Sequence, residues 1–150
     1  MDAEERKTRI LIVDDEPDIL SSLQALLNAL EPSWAVDTAN GGPNGLEQLQ
    51  KQSYDVVISD YRMPGMDGLE FLSKARKSSS SMPMVLMTAF PDLKIAIDAI
   101  NEVGIQNFFT KPLDPDEVIK VLKELLASKD RALQKDRAFA RAMDLARKKP

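Results

Sequence analysis

The most informative part of the sequence runs Tyr54-Asp55-Val56-Val57-Ile58-Ser59-Asp60-Tyr61-Arg62-Met63-Pro64-Gly65-Met66-Asp67-Gly68. Its β-branched run at residues 56–58 is typical of a strand that is buried on both faces. The run ends at Asp60 and is followed by residues that favour turns. In open parallel sheets, ligands bind beyond the carboxyl ends of the strands. The position of Asp60 therefore suits a functional carboxylate as well as a simple turn former.

The same succession of apolar run and turn occurs along the rest of the chain. Four further runs are predicted to be strands, at residues 9–13, 34–39, 84–87 and 106–110. Each strand is followed by apolar residues at helical spacing, and the last of these helices begins near Asp114. The alternation predicts a doubly wound α/β fold, with a five-stranded parallel sheet between two layers of helices. Periodicity does not give the strand order.

The composition excludes several kinds of chemistry. The 150 residues include no cysteine and no histidine, which rules out disulfides, thiol nucleophiles, imidazole catalysis and a phosphohistidine relay within this chain. Residues 1–8 are mostly charged, and we predict a flexible N-terminus without the features of a signal peptide. Because no apolar run is long enough to cross a membrane, we expect a cytoplasmic protein that does not contact membranes.

Charge divides the sequence into two parts. Residues 128–150 contain eight basic and three acidic residues and so carry a net charge of about +5, although the whole chain carries −4. The preceding part is therefore strongly acidic, which argues against nucleic acid binding by that part. We predict a domain over residues 9–127 and a basic helical extension or linker over residues 128–150, leading to an output domain outside this sequence. A coiled-coil dimer formed by the extension is an open alternative.

Polar residues follow four of the predicted strands. Asp14 and Asp15 follow the first strand, Asp60 the third, Thr88 the fourth and Lys111 the fifth. Parallel strands bring these positions to one edge of the sheet, where three carboxylates repel one another unless cations compensate them. Mg²⁺ and the lysine ammonium supply such compensation. A carboxylate, a divalent ion, a hydroxyl and an ammonium around one space suit phosphoryl transfer, in which a carboxylate can be the nucleophile.

Other kinds of site lack their motifs. The sequence has no G-x-x-x-x-G-K-[ST] loop and no G-x-G-x-x-G loop, so a nucleotide would have no phosphate cradle. The acidic residues at 14–18 do not match the EF-hand pattern. A hydrolytic triad has no histidine to serve as its base.

Four motifs, in this order and spacing, are similar to those of the receiver (CheY-like) domains of two-component response regulators. They are Ile12-Val13-Asp14-Asp15, Asp60-Tyr61-Arg62-Met63-Pro64-Gly65-Met66-Asp67-Gly68, Thr88-Ala89 and Lys111-Pro112. The resemblance covers roughly residues 9–127. It implies a flavodoxin-like fold with strand order 2-1-3-4-5 and five helices, of which the last is extended by the basic tail.

The resemblance implies a phosphorylation site with a metal ion. Asp60 corresponds to the phosphoacceptor of the family. Asp15 corresponds to the direct Mg²⁺ ligand, and Asp14 to the acidic neighbour that holds the ion through water. The metal set is completed by Asp60 and by the backbone carbonyl of Arg62, two residues after the acceptor.

The resemblance also implies a switch. Thr88 corresponds to the hydroxyl that bonds a phosphoryl oxygen, and Lys111 to the lysine that pairs with the phosphoryl group and forms a cis peptide bond with Pro112. Phe108 corresponds to the aromatic residue that turns inward once Thr88 has moved. The surface formed by the fourth helix, the fifth strand and the fifth helix then changes.

We therefore expect a response regulator receiver domain that accepts a phosphoryl group on Asp60. A sensor histidine kinase or a phosphotransfer protein donates it, and an output domain or partner is controlled. We expect no enzyme activity beyond self-phosphorylation and self-dephosphorylation. In this family the residues two past the acceptor and two past the threonine influence hydrolysis. Here Arg62 and Phe90 occupy these positions, and neither orients water, so we expect a long-lived phosphoaspartate.

Two alternatives remain open. One is a Mg²⁺-dependent phosphohydrolase that uses Asp60 as a transient nucleophile. The other is a phosphate-independent module that dimerises through the C-terminal helix. Whether a receiver domain would form a homodimer is also open, and the two candidate interfaces are that helix and the surface of the fourth helix, fifth strand and fifth helix. The sequence does not identify the kinase, the output domain or the pathway.

Overall fold

A computed structural model describes residues 7–89, 92–127 and 131–147, except for the side chains at 131–134 and 145. The predicted flexible N-terminus lies largely outside the described residues, and so does Phe90. Within the described part, no helix is long and apolar enough to cross a membrane.

The sheet has the predicted architecture. Its five strands are all parallel and lie in the order β2-β1-β3-β4-β5, which confirms both the doubly wound fold and the strand order implied by the resemblance. The strands are β1 (Thr8–Asp14), β2 (Trp34–Asn40), β3 (Val56–Asp60), β4 (Met84–Thr88) and β5 (Asn107–Thr110). In the three central strands, every residue from Ile10 to Asp14 of β1 is buried, and so is every residue of β3 and β4. Such complete burial is expected for a sheet that helices cover on both faces.

Helices connect the strands. They are α1 (Pro17–Leu30), α2 (Gly42–Lys51), α3 (Gly68–Ser78), α4 (Leu93–Asp98), α5 (Pro115–Ala127) and α6 (Arg131–Arg147). The last turn of α4 widens into a π-helical segment, Ala99–Val103. That segment ends at Gly104, whose φ of 78° is the left-handed conformation that favours glycine at a helix C-cap.

Side chains alternate between two cores, one on each face of the sheet. Leu11 and Phe108 belong to the core under α2, α3 and α4, whereas Ile10 and Phe109 belong to the core under α1 and α5. This alternation follows from the period of two residues in a strand. Two consecutive phenylalanines in β5 therefore serve different faces of the sheet.

The structure corrects the prediction that the last helix is an extension of α5. The chain forms a separate helix, α6, which contacts α4 and β5. Ala138 and Ala142 of α6 are buried in the same core as Phe108. Because the face of α6 that contains these two alanines is buried against the domain, the chain turns back after α5 and does not extend that helix into solvent.

The carboxyl edge of the sheet brings the predicted polar residues to one side. Asp14, Asp60 and Thr88 are the last residues of β1, β3 and β4. Lys111 follows β5 directly, and its backbone amide donates a hydrogen bond to the Thr88 carbonyl at 2.9 Å. The Lys111–Pro112 peptide bond is cis, as the resemblance implies.

Gly68 allows the first turn of α3 to approach the end of β3. Its amide donates to the Tyr61 carbonyl at 2.7 Å, and a Cβ at this position would lie 2.2 Å from the carbonyl oxygen of Asp60. Asp67 caps the helix, because its Oδ1 accepts a hydrogen bond from the Glu70 amide at 2.8 Å. The close approach fixes the backbone at Asp60.

We expect Gly68→Ala to lower the free energy of unfolding by ~3 kcal/mol, because the added methyl group displaces the backbone of Asp60. Gly65→Ala is the matched comparison. Gly65 has a φ of 80° with nothing within 4 Å of an added Cβ, so this variant loses only about 1 kcal/mol through backbone conformation. Urea unfolding of both variants measures the difference, and equal losses would contradict the steric explanation.

Candidate functional site

The acidic pocket begins where β1 meets α1. Asp14 is completely buried, and its Oδ1 accepts hydrogen bonds from the backbone amides of Asp15 at 2.7 Å and Glu16 at 3.1 Å. These amides belong to the turn that leads into Pro17, the first residue of α1. These amide donors satisfy a buried carboxylate oxygen and fix the orientation of the side chain.

Lys111 joins the two buried carboxylates. Its Nζ lies 2.9 Å from Oδ2 of Asp14 and 3.2 Å from Oδ1 of Asp60. The lysine side chain is only 14% exposed, so these contacts are largely shielded from water. Carboxylates at the ends of β1 and β3 therefore share the ammonium group of a lysine that follows β5, as expected from their common sheet edge.

Three carboxylates converge at the pocket. Ligand-capable oxygens of Asp14, Asp15 and Asp60 lie within 4.8 Å of one another. Their combined charge exceeds what Lys111 neutralises, and carboxylate oxygens are the ligands that Mg²⁺ prefers. The donor set and the uncompensated charge therefore fit a divalent cation.

The electrostatics of the pocket shift the pKa values of two groups. Burial, followed by the charge of Asp14, raises the pKa of Asp60 from its ordinary value of 3.8 to about 6, although Lys111 partly offsets this. Burial by itself lowers the pKa of Lys111, but its hydrogen bonds and charge interactions with Asp14 and Asp60 outweigh this effect and raise the value. At neutral pH the site thus contains an ionised acceptor beside a charged ammonium.

The other predicted site residues lie on β4, on β5 and in the loop after β3. Thr88 is buried at the end of β4, where the preceding residue, Met87, pairs with Asp60 across the sheet. Phe108 is buried on β5, and together with Thr88 it lines a cavity of about 20 Å³. Arg62 lies in the loop between β3 and α3 with an exposed side chain. The structure thus brings Asp14, Asp15, Asp60 and Lys111 together and places Thr88 with Phe108 at a separate cavity.

The sequence profile of the response regulator receiver domain matches residues 10–123. This chain belongs to the response regulator receiver domains. Receiver domains are signalling domains of two-component systems, and they exchange phosphoryl groups with histidine kinases or phosphotransfer proteins.

Curated relatives share this receiver domain. The chain is 36% identical over 118 residues to the transcriptional regulatory protein ZraR of Escherichia coli K12, covering 79% of this chain and 26% of ZraR. It is 37% identical over 120 residues to the response regulator Rre1 of Synechocystis, covering 79% of this chain and 51% of Rre1. The chain therefore spans a quarter to a half of the length of these relatives.

Solved structures agree with the fold. The signal receiver domain of an HD domain-containing protein from Pseudomonas fluorescens Pf-5 is 34% identical, with a TM-score of 0.77, and 83% of this chain covers 98% of that one. The chemotaxis protein CheY4 of Vibrio cholerae is 29% identical, with a TM-score of 0.74, and 80% of this chain covers 99% of that one. The shared region thus corresponds to an almost complete receiver domain.

Sequence reasoning missed two features beside the site. The turn and helix patterns around Gly68 do not predict its close approach to the backbone of Asp60, where an added Cβ would lie 2.2 Å from the carbonyl oxygen. Ala142 and Ala146 of α6 line the cavity that also contacts Thr88 and Phe108. The spacing of four residues between the alanines at 138, 142 and 146 was the available signal, since such residues lie on one helix face.

The raised pKa of Asp60 predicts a pH-dependent stability in metal-free solution. The folded state binds the proton of Asp60 more tightly than the unfolded state. The resulting stability is fully present below about pH 4 and is lost as the pH rises through about 6. Asp60→Asn removes this loss, so we expect the variant to be more stable than the wild type by ~1–3 kcal/mol above pH 6 and to lose the advantage near pH 4.

Urea unfolding between pH 4 and 8 with a chelator present measures this difference. Asp136→Asn is the control because Asp136 is exposed on α6, away from the pocket. That variant is expected to follow the wild type at every pH. A stability gain in Asp60→Asn that stays constant across the range would contradict the assignment.

Proposed function

We propose that this receiver domain accepts a phosphoryl group on Asp60 from a histidine kinase or phosphotransfer protein and thereby controls an output domain or partner. The observation that carries the proposal is the Lys111 ammonium, 3.2 Å from Oδ1 of Asp60 and 2.9 Å from Oδ2 of Asp14. It lies where the charge of a transferred phosphoryl group requires a cation. The proposal includes the cytoplasmic location that we expect from the sequence.

The reaction transfers a phosphoryl group from a histidine nitrogen of the donor to a carboxylate oxygen of Asp60. A carboxylate oxygen of Asp60 attacks the phosphorus of the donor phosphohistidine. The P–N bond to the donor breaks, a P–O bond to Asp60 forms, and the product is an acyl phosphate. Since the pKa of Asp60 is about 6, the carboxylate is mostly ionised and ready to attack at neutral pH. Lys111 is placed to pair with the phosphoryl oxygens.

The carboxylates of Asp14, Asp15 and Asp60, together with the backbone carbonyl of Arg62, are the groups that would hold Mg²⁺. When bound, the ion supplies positive charge that neutralises the phosphoryl oxygens. Asp14 is held by the amides at the start of α1, so its carboxylate keeps a fixed orientation. The protein thus provides a preorganised set of oxygen ligands beside the acceptor.

The signal leaves the site through Thr88 and Phe108. A phosphoryl group on Asp60 offers new acceptor oxygens, and the Thr88 hydroxyl moves to donate a hydrogen bond to one of them. The two residues share a cavity, so movement of Thr88 changes the space available to Phe108. Phosphorylation then favours one of two packings of the surface around α4, β5 and α5.

The receiver reading is favoured over a phosphohydrolase. A hydrolase needs a second carboxylate as acid and base, and in the loop after Asp60 the available carboxylate is that of Asp67. Its Oδ1 instead caps α3 through the amide of Glu70. We therefore propose that the domain acts on its own aspartyl phosphate and not on an external substrate.

We expect the wild type, incubated with phosphoramidate and Mg²⁺, to gain the mass of one phosphoryl group. Asp60→Asn is expected to gain none, because the amide is not a nucleophile, whereas the exposed control Asp136→Asn is expected to behave as the wild type. Intact mass spectrometry measures the adduct. Omission of Mg²⁺ is expected to slow its formation at least about tenfold.

The outcomes separate the alternative functions. An adduct that persists in Asp60→Asn would overturn the assignment of the acceptor. Continuous consumption of the donor without a retained adduct would favour the phosphohydrolase. A wild type that binds Mg²⁺ and forms no adduct would favour a phosphate-independent module.

Arg62 gives a prediction about the lifetime of the phosphoryl group. Its side chain is exposed in the loop after Asp60, and a guanidinium is neither an amide nor a carboxylate that would orient a water for attack. We expect the adduct to last for minutes or longer at neutral pH, and Arg62→Asn to shorten its lifetime several-fold. Decay is followed by intact mass after removal of the donor. Loss of the wild-type adduct within seconds would contradict this expectation.

A further inference from the structure

Helix α6 covers the surface through which a receiver domain would signal. It contacts α4 and β5, and an ion pair joins Arg141 of α6 to Glu117 of α5. Ala138 and Ala142 are 0% and 2% exposed and belong to the same core as Phe108. The helix therefore lies across the three elements whose packing phosphorylation is proposed to change.

The orientation of α6 brings its C-terminal half to the phosphorylation edge. Lys135 lines a groove with Gly104 and Gln106, near the amino edge of the sheet, whereas Ala146 lines the cavity that contains Thr88. Eleven residues of helix span about 16 Å, which matches the passage from one sheet edge to the other. The end of α6 thus lies close to Thr88 and Phe108.

The cavity under α6 provides the physical connection. Its volume is about 20 Å³, and its walls include Thr88, Phe108, Ala142 and Ala146. This volume accommodates little more than one water molecule, so the surrounding groups are closely spaced. A displacement of Thr88 or a rotation of Phe108 therefore alters the surface on which the alanines of α6 rest.

The contact is weakly held. The Arg141–Glu117 pair is partly exposed and so contributes little. Thr110 Oγ1 on β5 and Arg141 Nε on α6 are buried and have no hydrogen-bond partner among the described residues, which disfavours the docked position. Among the described side chains of α6, the two fully buried ones are alanines, whose methyl groups remove little apolar area from water, and Phe139 packs against the same core while partly exposed. These features suit a helix that detaches reversibly.

We propose that α6 is an intramolecular cover of the α4–β5–α5 surface and that phosphorylation of Asp60 releases it. This inference rests on the proposed function of Asp60. In the unmodified state α6 occupies the surface and keeps a partner helix from binding there. Once Thr88 and Phe108 have moved, α6 no longer fits its contact surface and is released. The α4–β5–α5 surface then becomes available to a helical partner. The alternative is a permanent cover that only protects the edge strand β5, as edge strands commonly require.

Thiol labelling tests the cover directly, because the chain has no cysteine of its own. Ala142→Cys places one thiol on the buried face of α6, and Ala140→Cys places one on its exposed face. In the unmodified protein we expect Ala142→Cys to react with a maleimide at least about tenfold more slowly than Ala140→Cys. After phosphorylation with phosphoramidate and Mg²⁺ we expect the two rates to converge.

Three controls make the result specific. Ala138→Cys, at a second fully buried position, is expected to behave as Ala142→Cys does. In an Asp60→Asn background, the donor is expected to leave the labelling rates unchanged. Protection of Ala142→Cys is expected to be independent of protein concentration, since loss of protection on dilution would mean that a second copy supplies the helix, which would overturn the intramolecular cover.

Intact mass of the same samples reports the phosphoryl adduct. It therefore distinguishes a failure of the α6 proposal from a failure of the proposed function of Asp60. Equal labelling of Ala142→Cys and Ala140→Cys before phosphorylation would overturn the cover. Unchanged protection of Ala142→Cys in protein that carries the adduct would overturn the release and leave α6 as a permanent cover of β5. A protein that gains no adduct would refute the proposed function, and with it the coupling, even if α6 is docked.

Discussion

The ammonium group of Lys111 between Asp14 and Asp60 is the interaction on which the rest of the site depends. A parallel sheet brings the ends of its strands to one edge, and here that edge carries three acidic residues. Without compensation, burial of these like charges would oppose folding. The lysine and the amides at the start of α1 supply part of the compensation. The remaining negative charge is what prepares the pocket for a cation and a phosphoryl group.

Much of the fold and the site follows from local sequence patterns. β-branched runs that end in polar residues identify the central strands and place Asp14, Asp60 and Thr88 at their carboxyl ends. The alternation with helices then predicts a shared edge, so the residues of the site can be grouped before any distance is known. The strand order could not be predicted from these patterns, because periodicity reports only which face of the sheet a residue occupies. It required the resemblance to a family.

The position of α6 could not be predicted from hydrophobic periodicity, because the residues that α6 buries are small and a large apolar residue beside them is exposed. Hydrophobic periodicity gives most weight to large side chains, yet Met143 of α6 is 50% exposed whereas Ala138 and Ala142 are buried. Small residues at a spacing of four allow a helix to lie close to β5 and α4, which a stripe of large side chains prevents. A close approach also explains Gly68, where the absence of a Cβ matters more than turn conformation. Such contacts depend on a partner surface that lies far away in the sequence.

A weak contact for α6 is also what an allosteric mechanism requires. Coupling between two sites commonly amounts to 1–3 kcal/mol, so a phosphoryl group can shift only those equilibria whose two states lie within roughly this range. A helix that buried several leucines would gain ~1.5–3 kcal/mol from each and would stay docked whatever the state of Asp60. In α6 the fully buried described side chains are alanines, the ion pair is partly exposed, and two buried polar atoms lack a hydrogen-bond partner among the described residues. These features limit the free energy of docking, to which Phe139 also contributes. Reciprocity then requires that a helix which hinders the phosphorylated packing also makes Asp60 harder to phosphorylate, so α6 would set the threshold as well as carry the output.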